Sequence, residues 1–219
     1  AIRRDEECLR FSADAGRVRL WTAKGQFTAR RLVVTAGPWL PGLLGEAWPG
    51  RLTVRRQALF WFGMKEATGD FGPERFPVFI WELAGHDQPI YGFPAIDGAA
   101  GGVKIATEQH ATATTPETVR RDVDPAEARA MFEEKVAPCF PGLSGECVKT
   151  LVCLYTMTAD CRFAIEEHPE IPGVILVSAC SGHGFKHSAA LGEALASAVI
   201  GAGRRVDLSG VAGDRPGAD

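Results

Sequence analysis

The sequence predicts an α+β protein that includes a portion of α/β type. Several short, β-branched or alternating segments are joined by short connections, which favours an antiparallel or mixed sheet. One segment between them carries the signature of a helix N-terminus. Near the end of the chain, an apolar segment passes through a glycine-rich turn into a segment of small residues. That order of strand, turn and helix is typical of half a βαβ unit.

The N-terminal part alternates like β structure. The segments "RVRLWTA" and "FTARRLVVTAG", joined by the turn "KGQ", predict a hairpin whose second strand ends in a buried apolar run. The following "PWLPGLL" is interrupted by prolines and predicts a loop or a short helix.

The middle of the chain predicts further strands and one helix. The strands are "RLTVRRQALFWFG", "FPVFIWEL", "PIYGFPAI" and "GGVKIATEQ". In the helix, Asp124 serves as N-cap, Pro125 takes the first helical position, and Glu127 follows three residues after the cap. Apolar residues then repeat at helical spacing until Pro138 stops the helix.

The last third predicts more strands, a helix and a tail. "LVCLYT", "CRFAIEEHP" and "GVILVSAC" are predicted strands, and "SAALGEALASAVIGAG" is a tightly packed helix. Residues 205–219 are polar and rich in glycine, which predicts a flexible tail.

Composition limits the classes of partner. The formal net charge of -3 and scattered basic residues give no reason to expect nucleic acid or an anionic membrane. No segment approaches the roughly 20 apolar residues that span a bilayer, and the N-terminus has no secretory pattern. We therefore expect a cytoplasmic protein. The chain begins without methionine, close to a strand, so we also expect it to be the later part of a longer protein.

The six cysteines form no C-x-x-C pair and fit no zinc spacing, so no metal site is predicted. Reduced thiols are expected over disulfides, because no export signal is seen. The cysteines are Cys8, Cys139, Cys147, Cys153, Cys161 and Cys180.

The stretch "ACSGHGFKHSAAL" is the first candidate site. Gly182 and Gly184 allow a close backbone approach, and the helix behind them starts with unpaired N–H groups and partial positive charge. His183 and Lys186 add a titratable donor and a cation, so the turn suits an anionic group. The alternative is a tight strand-to-helix turn with exposed polar side chains, since G-x-G alone is a weak signal.

Four motifs give the chain a family resemblance. They are "ARRLVVTAGPWLPGLL", "YGFPAIDGAAGGVKIA", "CLYTMTADCRFAIEEHP" and "GVILVSACSGHGFKHSAALGEALA". Their order and separation resemble the monomeric sarcosine oxidase and N-methyltryptophan oxidase family, flavoenzymes of the D-amino acid oxidase superfamily. The resemblance runs from about residue 17 to about residue 200. It implies an antiparallel or mixed-sheet substrate domain together with the C-terminal part of a Rossmann-like FAD-binding domain.

The resemblance implies FAD as cofactor and assigns residues to it. Cys153 matches the cysteine that joins the flavin through sulfur; taken alone, it would be a buried structural thiol. Lys104 matches a catalytic lysine that assists the reaction with oxygen; taken alone, it would be a solvated strand lysine. The remaining matches to cofactor-binding positions are Gly182, His183, Gly184, Phe185 and Lys186, of which His183 is also placed beside the reacting ring.

The substrate positions follow from the same resemblance. Lys186 matches a lysine that pairs with the substrate carboxylate, and Tyr91 and Tyr155 match active-site tyrosines. One residue departs from the pattern: Glu108 stands where sarcosine oxidase has histidine. A carboxylate there would repel a substrate carboxylate or select a cationic group, which makes sarcosine itself a doubtful substrate.

No G-x-G-x-x-G dinucleotide fingerprint precedes "AIRRDEE". We therefore expect a C-terminal fragment that lacks the N-terminal FAD-binding segment and shows no turnover in isolation. The expected domains are 1–50 as part of the FAD-binding domain, 51–158 as the substrate domain, 159–204 as a return to the FAD-binding domain, and 205–219 as the tail.

The functional hypothesis is an FAD-dependent oxidase of a secondary amine or N-alkyl amino acid, which uses oxygen and releases imine or aldehyde and H2O2. Its partners would be a small amine and oxygen, with no nucleic acid or membrane. Two alternatives stay open: a non-covalent FAD dehydrogenase of the same superfamily, and a truncated, non-catalytic module that binds a small molecule.

Overall fold

The computed structural model describes residues 1–45, 50–65, 69–86, 88–108, 111–203 and 206–212. The chain divides into two compact units. The split unit consists of Ala1–Val54 and the chain from Tyr155 onward, and the inner unit consists of Arg55–Leu154. Which unit serves the cofactor and which the substrate stays a prediction.

Among the described residues, the strands are β1 Cys8–Asp14, β2 Arg17–Thr22, β3 Gly25–Ala29, β4 Leu32–Val34, β5 Thr53–Met64, β6 Phe79–Trp81, β7 Ile90–Phe93, β8 Val103–Thr107, β9 Leu143–Met157, β10 Ala164–Glu167 and β11 Val174–Ser178. The α-helices are α1 Leu40–Leu44, α2 Pro125–Met131 and α3 Ser188–Ile200.

The split unit contains two three-stranded sheets. One is antiparallel in the order β1-β2-β3, and the other has the order β10-β11-β4. The second sheet is mixed, because β11 pairs antiparallel with β10 and parallel with β4. The buried core of the split unit comprises Val18 of the first sheet together with Val34, Leu40, Leu44, Val174 and Leu176. The predicted α+β class with antiparallel and mixed sheets is therefore confirmed.

The prediction of one continuous strand for "FTARRLVVTAG" is wrong. β3 ends at Ala29 and β4 begins at Leu32, in a different sheet. The exposed pair Arg30 and Arg31 separates them. The apolar run after the arginines pairs with the equally apolar β11, and the Leu32 N–H donates to the Gly173 carbonyl at 2.9 Å. Burial against β11 therefore takes these residues out of the hairpin.

The inner unit is built on one five-stranded sheet in the order β6-β7-β8-β5-β9. The β7–β8 and β8–β5 pairs are antiparallel. One face packs on α2 through fully buried side chains such as Phe60, Phe62 and Ile105. Side chains alternate along a strand, so the residues between these lie on the opposite face. We call this opposite face the lysine face, defined by Trp61, Tyr91, Phe93 and Lys104.

β6 lies at one edge of this sheet. It is shorter than the predicted "FPVFIWEL" strand. Val78, which precedes it, is 61% exposed, and Ile80 within it is 76% exposed.

Helix α2 begins as the sequence predicts. The Asp124 carboxylate accepts a hydrogen bond from the Ala126 N–H at 2.8 Å, and Pro125 occupies the first turn. Ala128 and Met131 are buried against the sheet. After Met131 the helix continues as one π turn, Phe132–Val136, and so ends ahead of Pro138.

Helix α3 also begins and ends close to the predicted bounds. Gly201 closes it in a left-handed conformation with φ of 72°. In the predicted tail, residues 205 and 213–219 lie outside the described residues, as does Gln109 of the predicted "GGVKIATEQ" strand. Across the described ranges, no helix is both long and apolar enough to cross a membrane.

Candidate functional site

Lys104 lies at the centre of the lysine face. It is directly opposite Trp61 on β5 and opposite Phe93 on β7. The Lys104 Nζ is 4.8 Å from the centre of the Phe93 ring and 5.5 Å from that of Trp61. Both distances are within the range of cation–π attraction. The sheet register therefore gives this ammonium group two aromatic walls.

The proton affinity of Lys104 is altered in this environment. Partial burial lowers the pKa of Lys104, because desolvation penalises the charged ammonium. The negative form of Cys153 acts in the opposite direction and raises this pKa, while the positive charge of Lys149 lowers it. Cys153 lies half-buried on β9. The inner unit thus brings the predicted oxygen-reactive lysine and the predicted flavin-linked cysteine into electrostatic contact.

The other two predicted residues of the inner unit lie farther along the same strands. Tyr91 is half-buried on β7, opposite Ala106 on β8 and Ile80 on β6. Glu108 is exposed directly after β8, and its charge is not among those that shift the pKa of Lys104. The geometry therefore groups Tyr91 with Lys104 on one face and leaves Glu108 at the strand end.

In the split unit, the glycine turn is shaped by close packing. Gly182 has φ of +78°, and a Cβ there would lie 2.8 Å from the Tyr155 ring. A Cβ at Gly184 would lie 1.7 Å from the Ala179 carbonyl oxygen. Neither position can hold a side chain without displacement of its neighbours. Tyr155 is thus brought against the turn that follows β11.

His183 is held in this turn by two contacts. Its Nε2 lies 3.0 Å from the Cys161 carbonyl oxygen. A carbonyl only accepts, so Nε2 carries the proton and donates. The imidazole also stacks on the buried Phe163 ring with 4.9 Å between centroids. These contacts fix the ring plane of His183 and direct its Nε2–H to the Cys161 carbonyl.

The last two predicted residues of the turn face solvent. Phe185 is 94% exposed, and Lys186 is exposed beside it on a short 3-10 helix, Phe185–His187. Helix α3 begins at Ser188, with no side-chain hydrogen bond from the His187 cap. The expectation of unpaired N–H groups at the start of α3 is wrong for Ser188, whose N–H donates to the Phe185 carbonyl because the 3-10 helix runs directly into α3. In the turn itself, the His183 and Gly184 N–H groups both donate to the Cys180 carbonyl.

Buried hydroxyl groups in the split unit provide a test for a polar cofactor. Thr156 and Ser178 are almost fully buried, and their Oγ atoms have no hydrogen-bond partner among the described residues. The Thr156 N–H donates to the Cys180 sulfur at 3.4 Å. Buried hydroxyls normally find a hydrogen-bond partner. These two hydroxyl groups, one of them directly after Tyr155, therefore fit a polar ligand such as a flavin.

Metal ligands are a separate matter. In the described part of the chain, no group of three or more His, Cys, Asp or Glu side chains is arranged to hold a metal ion.

Comparison with known proteins identifies the family. Residues 1–198 match the FAD dependent oxidoreductase family, and the chain belongs to it. The monomeric sarcosine oxidase of Streptomyces avermitilis is 38% identical over 198 residues, which are 90% of this chain and 50% of that protein. The N-methyl-L-tryptophan oxidase of Escherichia coli is 31% identical over 188 residues, 80% of this chain and 45% of that protein. The resemblance inferred from the four motifs is confirmed.

Solved structures show the same fold. NikD, described as an unusual amino acid oxidase essential for nikkomycin biosynthesis, has a TM-score of 0.70 at 19% identity, over 94% of this chain and 54% of NikD. Glycine oxidase from Geobacillus kaustophilus has a TM-score of 0.67 at 19% identity, over 96% of this chain and 52% of that chain. The chain spans about half the length of the curated relatives it matches.

Sequence reasoning missed the residues that surround Lys104. Trp61 and Lys149 lie outside the four motifs, and Phe93 lies within "YGFPAIDGAAGGVKIA" without being singled out. The three residues come from three different strands. Alternation along "ALFWFG" separates Trp61 from the buried Phe60 and Phe62, which was the only available signal.

Proposed function

We propose that this chain forms part of an FAD-dependent oxidase that oxidises the C–N bond of a secondary amine or N-alkyl amino acid. The amine loses a hydride from the carbon next to nitrogen, and water hydrolyses the resulting imine to an amine and an aldehyde. Oxygen takes up the two electrons with two protons and leaves as H2O2. When bound, FAD supplies the acceptor and donor of those two electrons. A cytoplasmic location stays a prediction.

The environment of Lys104 is the observation that carries this proposal. Two aromatic rings and partial burial hold a lysine ammonium at one place on the lysine face. A fixed cation stabilises the negative charge that develops on oxygen as it accepts electrons. Desolvation strengthens this effect, because charges interact more strongly where water is excluded.

Cys153 is the proposed covalent attachment point for the cofactor. Its half-buried thiol lies on β9, where its negative form and the Lys104 ammonium attract each other. The thiolate is the nucleophilic form of a cysteine. The buried hydroxyls of Thr156 and Ser178 would offer hydrogen bonds to the polar ring edge.

The substrate-binding residues are proposed from the family resemblance and from the exposure of their side chains. The exposed ammonium of Lys186 pairs with a substrate carboxylate. The resemblance assigns a contact with the amine to Tyr91 and, separately, to Tyr155. The exposed Glu108 carboxylate would favour a substrate that carries a second cationic group over sarcosine.

The test is a flavin-release assay on the longest natural protein that contains this chain. The protein is precipitated with acid, resuspended in denaturant, and its visible spectrum is compared with that of the supernatant. We expect yellow colour to stay with the denatured chain and to be lost in Cys153→Ala. Cys139→Ala is the matched control, because Cys139 is a partly buried cysteine of the same unit that packs on its core.

Each other outcome supports a different function. Colour released from the wild-type chain into the supernatant would favour a non-covalent FAD dehydrogenase. A protein without flavin in either fraction would contradict both, and would leave the truncated binding module.

A further inference from the structure

We infer that Lys149 is a positioning residue for Lys104, and that it acts through the indole ring of Trp61 that both ammonium groups contact. This inference rests on the proposed function for its catalytic meaning. The contact itself is independent of any cofactor.

The geometry places two cations on one aromatic ring. The Lys149 Nζ lies 4.8 Å from the centre of the Trp61 ring, and the Lys104 Nζ lies 5.5 Å from the same centre. The two lysines belong to different strands, β9 and β8. In the sheet order, β5 with Trp61 lies between these strands. The indole therefore connects two lysines that do not neighbour each other in the sheet.

The side chain of Lys149 is exposed, unlike that of Lys104. An exposed lysine usually lacks a fixed position, because an ordered side chain of that length loses considerable rotamer entropy. Contact with the Trp61 ring gives the Lys149 side chain a fixed position. The Lys149 ammonium in turn holds the plane of the indole ring, which lies on one side of the Lys104 ammonium.

The electrostatic consequence has a definite sign. The positive charge of Lys149 opposes protonation of Lys104, and burial acts in the same direction, while Cys153 opposes both. Among the described residues, the charged groups that act on Lys104 are Cys153 and Lys149, both on β9. Tyr91 on β7 lies on the same face, and Glu108 follows the end of β8. Of these, Lys149 is the one that also contacts the ring next to Lys104.

A direct titration tests the inference without any cofactor. The chain has six lysines, so ¹³C labelling of lysine gives few side-chain signals, each assigned by substitution. They are Lys24, Lys65, Lys104, Lys135, Lys149 and Lys186. We expect Lys149→Gln to move the titration midpoint of Lys104 upward, toward that of an ordinary lysine. Lys149→Arg keeps the charge and the ring contact, so it should keep the wild-type midpoint.

Two controls distinguish an effect that passes through the Trp61 ring from a general effect of removing a positive charge. Lys135→Gln removes another cation of the inner unit, one that lies 2.8 Å from the His86 ring nitrogen, and should leave Lys104 unchanged. In Trp61→Leu the effect of Lys149→Gln should fall to less than half, whereas Trp61→Phe should preserve it. An unchanged Lys104 midpoint in Lys149→Gln, or an equal effect from Lys135→Gln, overturns the inference.

The catalytic meaning is tested on the flavin-containing protein. Lys149→Gln should lower the rate constant of the reduced enzyme with oxygen about two- to fivefold, the factor given by a contact of about 0.5–1 kcal/mol. The KM for the amine should not change. If the protein carries no flavin while the Lys104 titration still responds to Lys149, the proposed function fails and the positioning contact stands.

Discussion

The glycine turn of the split unit and the lysine face of the inner unit are built in different ways. In the turn, position is fixed by backbone: Gly184 packs directly on the Ala179 carbonyl, and Gly182 on Tyr155. On the lysine face, position is fixed by side chains: Lys104 rests on Trp61 and Phe93.

The difference predicts how each region responds to change. A backbone contact leaves no room for relaxation, so a single added methyl group is felt in full. Side-chain contacts between a cation and aromatic rings adjust gradually, and their energy depends on charge and therefore on pH. Substitutions in the turn should thus destabilise the fold through steric clashes, whereas the stability of the lysine face should depend on the protonation of its lysine.

The largest expected effect is that of Gly184→Ala. The added Cβ would lie 1.7 Å from a carbonyl oxygen, so the turn must move and the split unit should lose about 3 kcal/mol or more. Urea unfolding measures the loss. Gly192→Ala on α3 is the matched control, since nothing lies within 4 Å of its Cβ, and it should gain about 0.5–1 kcal/mol. Equal midpoints for the two variants would contradict a backbone-fixed turn.

The next effect is an acid response within the split unit. His168 is buried, and its Nδ1 accepts hydrogen bonds from the Glu170 and Ile171 N–H groups at 3.1 and 3.2 Å. Burial lowers the pKa of His168 below the ordinary 6.5, although the Glu170 charge partly opposes this. The unfolded chain therefore takes up the proton first, and stability falls as the pH drops through 6.5.

His168→Asn sharpens this test. An asparagine oxygen can accept from the same N–H groups without titrating. The unfolding midpoint of the variant, measured between pH 7.5 and pH 5, should fall less than that of the wild type. A parallel fall in both would show that His168 is not the titrating group.

The smallest expected effect is on the lysine face. Burial lowers the pKa of Lys104, so the folded state carries a penalty while that lysine stays protonated. Lys104→Met removes the penalty and should be slightly more stable near neutral pH. The advantage should shrink as the pH rises through the folded pKa toward the ordinary lysine value. Urea midpoints of the wild type and the variant across this pH range check the sign, and a constant offset in Lys104→Met would contradict it.

Local features were predictable from sequence because their causes are local. The cap formed by Asp124 with Pro125 needs only neighbouring residues, and so does the strand, glycine turn and helix around Gly182. The motifs identified the family because they keep their order along the chain. By contrast, nothing within "FTARRLVVTAG" says that Leu32 pairs with a strand from the far end of the chain.

The surroundings of Lys104 were not predictable for the same physical reason. Which residue lies opposite Lys104 depends on sheet register, and register is set by pairing between distant segments. Trp61 and Phe93 become partners of Lys104 only once β5, β7 and β8 are aligned. Lys149 then reaches the site from a fourth strand, β9, where the neighbouring residues are typical of an exposed surface.

The exposed edge at β6 affects how the protein behaves at high concentration. A short edge strand that carries the exposed side chain of Ile80, directly after the exposed Val78, offers a template for self-association. Natural sheets avoid edge-to-edge aggregation by carrying charged side chains on their edge strands. A charged side chain in place of Ile80 would protect this edge in the same way. Preparations for crystallography or calorimetry should therefore tolerate a higher concentration with Ile80→Lys, a change on the outermost strand of the sheet.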